Sequence, residues 1–154
     1  MKTNTGFTLI EVLIAMLVLA VGLLGLAGLQ ATSLRNNQSA YNRSQATQLA
    51  SDLADRMRAN VAGKATYTAI LPSSATAKPN CLTTTGCIPA DMAENDLFQW
   101  NSAVHNNLPS GIGTLSHNPN PCVNTCIYTI AIRWDDDLDG DDSNNPNFQT
   151  SFQL

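Results

Sequence analysis

Residues 6–29 read GFTLIEVLIAMLVLAVGLLGLAGL, and the architecture follows from how this stretch is interpreted. From Phe7 to Leu29 only Glu11 carries a charge. As a helix rising about 1.5 Å per residue, the run extends roughly 35 Å and can cross a bilayer core. A secretory signal has a shorter apolar core followed by a small-residue cleavage site. Ala27-Gly28-Leu29-Gln30-Ala31 imitates such a site, but the run is too long for a signal core. A plain anchor fits the length and leaves Glu11 unexplained, because an acid within hydrocarbon is costly unless neutralised. Cutting the chain between Gly6 and Phe7 would create an α-amino group four residues before Glu11. That cation, on the same helix or a neighbouring one, would compensate the carboxylate. Glu11 is therefore expected to act in subunit assembly, with its partner made by proteolysis.

Flanking charges add little. Lys2 precedes the span while Arg35 and Arg43 follow it, so the positive-inside rule alone does not settle topology. Gly22, Gly25 and Gly28 recur every third residue and suit close helix packing in a membrane.

Beyond Gln30 the helical rhythm continues amphipathically. Ala46, Leu49, Ala50, Leu53 and Met57 keep an i, i+3, i+4 spacing, with Arg43, Gln48, Asp52, Asp55, Arg56 and Arg58 mostly off that stripe. A single helix from Phe7 to Arg58 is expected, stopping near Asn60 and Gly63. Its first half would lie in lipid and its second half against a domain. Lys64 to Ala90 is rich in Thr, Ser, Ala and Pro and reads as a long connection. A second helix is expected over Asp91–Asn107, capped by Asp91, with Ala93, Leu97, Trp100, Val104 and Leu108 on one face and Leu108-Pro109-Ser110-Gly111 ending it. Trp100 reads as ordinary core. Three strands follow, at Ile112–Ser116, Ile127–Trp134 and Asn147–Leu154. The predicted class is α+β, a long N-terminal helix packed on a small antiparallel sheet.

The chain has 154 residues, with 12 Asp and Glu against 8 Lys and Arg. Six of the acids lie between Asp135 and Asp142, so no basic face forms and nucleic-acid binding is disfavoured. Cys81, Cys87, Cys122 and Cys126 read as disulfides made in an oxidising compartment. Their spacing fits zinc poorly, and His105 and His117 sit apart. Pairing within 81/87 and within 122/126 is the simplest connectivity, which spacing leaves open. Asp135-x-Asp137-x-Asp139-Gly140-Asp141 resembles the start of a calcium-binding EF-hand loop, but Pro146 stands where the closing Glu belongs. Asp135, Asp137, Asp139 and Asp141 are thus candidate calcium ligands, set against a solvated acidic loop. No nucleophile setting or phosphate cradle is present in the sequence, so neither an enzyme nor a small-molecule substrate is expected.

Gly6-Phe7-Thr8-Leu9-Ile10-Glu11 resembles the processing motif of type IV prepilins and of type II secretion pseudopilins. The resemblance implies that a prepilin peptidase cuts after Gly6 and N-methylates Phe7, leaving Glu11 as the fifth mature residue. It further implies a leader at 1–6, a transmembrane and filament-core helix at 7–29, and a periplasmic domain at 30–154, anchored in a bacterial inner membrane. Farther along, Cys81, Cys87, Ala93, Asp96 and Trp100, with Leu108-Pro109-Ser110-Gly111-Ile112-Gly113 and the strand from Tyr128 to Asp135, look like PilV-type minor pilins. Partners implied are the prepilin peptidase, other minor pilins and the major pilin. A pseudopilin and a membrane-anchored calcium-binding module remain the alternatives.

Overall fold

The computed structural model describes residues 6, 8–118, 126–141 and 144–154. It divides into two compact units, Met1–Ala40 and Tyr41–Leu154. Helix α1, Leu9–Ala59, runs through both.

In the first unit α1 begins directly after Thr8, whose carbonyl accepts the N–H groups of Glu11 (3.1 Å) and Val12 (3.3 Å). None of its residues is buried in this unit, and the large apolar side chains from Leu9 to Leu34 stand exposed. Such a surface is unsustainable in water and marks a membrane or protein contact. Length and composition make α1 the one helix among the described residues able to cross a membrane.

In the second unit the stripe Ala46, Leu49, Ala50, Leu53 and Met57 is buried as its periodicity predicts, joined by Asn42 and Ala54. After α1 the backbone makes a 3-10 turn at Val61–Gly63 and then helix α2, Lys64–Ala69. Two more 3-10 turns follow, at Pro72–Ser74 and Pro79–Leu82. The expected structureless connection over 64–90 is therefore corrected. Pro72 and Pro79 each open a turn with φ already set for it, and Tyr67 on α2 is buried. The disulfide Cys81–Cys87 closes the end of this segment.

Helix α3 spans Pro89–Asn107. Its start corrects the expected Asp91 cap: Ile88 is the N-cap, without a side-chain cap bond, and Pro89 enters the first turn. A proline at the first helical position sacrifices no internal hydrogen bond, and Asp91 instead faces the positive end of the helix dipole. Ala93, Leu97, Trp100, Val104 and Leu108 are all buried. The turn beyond α3 places Ser110 at φ 48°. A side chain at Gly111 would meet the Val104 carbonyl at 2.6 Å.

Strands β1 (Ile112–Asn118), β2 (Ile127–Arg133) and β3 (Asn147–Gln153) form an antiparallel sheet in that order. Each lies within two residues of its expected end. The central strand shows alternating burial, with Tyr128, Ile130 and Ile132 inward. They join the helical stripes and Trp134 in a single core. Each fully buried Leu, Ile or Met contributes roughly 1.5–3 kcal/mol relative to exposure. Gly113 lies against the six-membered ring of Trp100, where an added Cβ would stand 2.5 Å from the nearest ring carbon. The unit is α+β, with the Tyr41–Ala59 part of α1 and α3 packed on the small sheet.

Candidate functional site

Glu11 sits in the first turn of α1, where a carboxylate is favoured by the unsatisfied N–H groups and the helix dipole. Ala15 and Leu19 follow one and two turns later on the same face. Glu11 is thus an exposed anion in an otherwise apolar stretch of the helix, residues 9–29. Gly6, three residues before the first of the helix, is exposed, and Phe7 lies outside the described residues. Gly22, Gly25 and Gly28 leave open space on α1, with nothing within 4 Å of a Cβ added at any of them. The Thr32 hydroxyl donates to the Gly28 carbonyl one turn back (3.1 Å). Chemically this segment can bind other apolar helices and one cation.

In the second unit, Asp96 on α3 is the centre of a buried polar network. It accepts the Tyr67 hydroxyl and the Arg56 guanidinium. Arg56 also donates to Asp52 (3.0 Å) and Gln99 (2.9 Å). Burial first, then the hydrogen bond and charge of Asp96, push the Tyr67 phenol well above its ordinary pKa. Tyr67 was missed in the sequence because α2 is too short to show a period; the aromatic in KATYTA was the only signal. Nearby, Glu94 accepts the Thr76 backbone and hydroxyl and pairs with Lys78 at 2.9 Å. Together with the Lys78 N–H to Asn95 bond at 3.0 Å, this clamps the segment before the disulfide onto α3.

The cysteines settle in part. Cys81 and Cys87 are bonded to each other, with Cα atoms 4.7 Å apart. Cys126 is also disulfide-bonded, and Cys122 lies outside the described residues.

In the acidic loop, carboxylate oxygens of Asp135, Asp137 and Asp139 lie within 4.8 Å of one another. Asp141 is exposed, and its N–H donates to the Asp139 carboxylate (2.7 Å). Asp135 is buried, and its two oxygens accept the N–H groups of Leu138 (2.8 Å) and Gly140 (3.1 Å). The loop is also anchored through Asp136, which accepts from Asn42 (3.0 Å) and Trp134 (2.9 Å). Three carboxylates could hold a hard cation such as calcium, but much of the acceptor capacity of Asp135 already serves the backbone. No cofactor is indicated.

Two family models match the chain. One, described as prokaryotic N-terminal methylation motif, covers residues 1–27, and the other, Type IV pilin Tt1218, covers residues 28–98. Residues 1–98 carry the methylation motif and the domain of a type IV pilin. No curated protein and no solved structure matches it significantly. The methylation motif implies processing by a prepilin peptidase and assembly of the pilin with other pilins. Type IV pilins are structural subunits rather than enzymes. The apolar helix and the motif are together consistent with anchoring in the inner membrane before incorporation into a pilus.

Proposed function

We propose that this pilin is a minor subunit of PilV type that helps initiate pilus assembly. The observation that carries the reading is Glu11: one exposed carboxylate in the first turn of α1, within the exposed and otherwise apolar stretch 9–29. Removal of a leader at 1–6 frees the Phe7 amine, which is N-methylated. That amine pairs with a carboxylate on a neighbouring subunit, while Glu11 meets the reciprocal amine. Desolvation makes such a pair costly to leave half-made, so it acts mainly as a register for stacking apolar helices. Residues 7–29 form the membrane and filament-core span, and residues 30–154 the periplasmic domain, where an oxidising environment suits the cystines. The partners are other minor pilins and the major pilin.

The test replaces Glu11 with Val in the native host. The variant should be cleaved and methylated normally, yet be lost from sheared filaments and lower the number of filaments started. Normal incorporation of Glu11→Val would count against the reading. A type II secretion pseudopilin shares the same motif; loss of protein secretion with intact pili in a deletion strain would favour that assignment.

A further inference from the structure

Charge is sparse along the first unit of α1. Arg35 is the only charged residue between Glu11 and Arg43. It is exposed and makes no ion pair among the described residues. Around it the helix surface changes character. Exposed apolar side chains run from Leu9 to Leu34, and then Asn36, Asn37, Gln38 and Ser39 follow, polar and uncharged. Arg35 therefore stands at the border between a surface suited to hydrocarbon and one suited to water.

Helix length turns that border into a depth. Glu11 and Arg35 are 24 residues apart, about 36 Å along a helix rising about 1.5 Å per residue. A hydrocarbon core about 30 Å thick accommodates about 20 residues. With residues 12–31 in that core, Glu11 lies just outside one face. Arg35 then lies about 6 Å beyond the other, in the headgroup layer. Sliding the helix one turn towards the Arg35 side draws Glu11 into hydrocarbon, where an acid is costly. Sliding it one turn the other way pulls Arg35 down to the hydrocarbon edge. One depth suits both charges.

The chemistry at position 35 names the partner. A guanidinium is permanently charged, and its paired N–H donors match the oxygens of a phosphate. Phosphates line the phospholipid surface at this level, and contact with that surface is continuous with the apolar stretch that already requires a membrane. We propose that Arg35 binds lipid phosphates on the membrane face opposite Glu11, and that the two charges together fix the depth of the subunit. A subunit leaving on the Arg35 side must give up those phosphates and draw Glu11 into hydrocarbon. An unpaired subunit is thereby retained. The inference rests on the reading of the chain as a membrane-anchored subunit, and refines where its span lies.

The full-length protein, with its cystines closed, is placed in vesicles of phosphatidylglycerol and phosphatidylcholine. Carbon–phosphorus dipolar dephasing in solid-state NMR should place an arginine guanidinium carbon within about 5 Å of lipid phosphorus, the distance of a paired N–H contact. That signal should be lost in Arg35→Gln. Nitroxides on single cysteines introduced at positions 15–27 should be immersed deepest at 21 or 22, the centre of 12–31. A deepest point at Val18, the centre of 7–29, would overturn the shared depth. Dephasing that is absent, or unchanged in Arg35→Gln, would overturn the phosphate site and leave the membrane reading intact. Water access at every labelled position would overturn both. Silence in vesicles together with loss of Arg35→Gln from filaments would assign Arg35 a protein partner and overturn the proposal. Should Arg35→Gln fail to fold, the immersion profile of the chain with Arg35 in place decides alone.

Discussion

The indole N–H of Trp100 donates to the backbone carbonyl of Leu49 across 2.8 Å, inside the core. Both residues lie on predicted apolar stripes, and the bond ties α3 to α1 in the second unit. A buried indole without an acceptor would be penalised, so this contact sets the register of the two helices.

Trp100→Phe should cost about 1–2 kcal/mol through the lost donor and volume, and Trp100→Ala about 3–5 kcal/mol. Gly113→Ala should cost about 1–3 kcal/mol by overpacking the Trp100 ring. Denaturant melts of the full-length protein in detergent check all three; a neutral Gly113→Ala would show that β1 moves freely off the indole.

Tyr67 makes stability depend on alkaline pH. Its phenol is held protonated in the fold, chiefly by burial and then by Asp96. Its contribution is complete below the unfolded phenol pKa of about 10 and declines as pH rises beyond it. Stability should therefore fall more steeply above about pH 10 in the native protein than in Tyr67→Phe. Identical slopes in thermal melts across that range would disprove the assignment.

The short Cys81–Cys87 loop encloses few residues, so opening it should cost about 2 kcal/mol by the chain-entropy argument. Cys81→Ser/Cys87→Ser should also speed proteolysis between Leu71 and Ile88 while leaving exchange in β2 unchanged. Limited proteolysis with mass mapping reads both effects.

Asp135→Ala should destabilise the acidic loop by about 1–3 kcal/mol, because it strips acceptors from the N–H groups of Leu138 and Gly140. The loss should be present in chelator as well as in calcium, since these bonds need no ion. Restoration of full stability by calcium would show the ion, rather than the backbone bonds, holding the loop.

The helical features were legible because they are long and periodic. Ala46 to Met57 and Ala93 to Leu108 announce their buried faces, and the alternation from Tyr128 to Ile132 announces the central strand. At Glu11 the chemistry alone was legible, since an acid in an apolar span asks for a cation, whereas the cut after Gly6 was implied only by the resemblance of Gly6 to Glu11 to a prepilin motif. Where elements are a turn or two long, periodicity fails. That is why α2 and the 3-10 turns at Pro72–Ser74 and Pro79–Leu82 were read as connection, and why the Tyr67–Asp96 contact, 29 residues apart in sequence, was invisible. Asp91 attracted the role of cap because acids favour helix starts, yet Pro89 had already set the entry two residues earlier. The acidic loop suggested calcium through spacing, and spacing could not show that Asp135 turns both oxygens to backbone N–H groups.

The central claim is tested most directly by the mass of the intact protein and of its N-terminal peptide, taken from native membranes or sheared filaments. The account predicts a chain that begins at Phe7 and carries one added methyl group. A chain that still begins at Met1, or one cut behind Ala27, would contradict it.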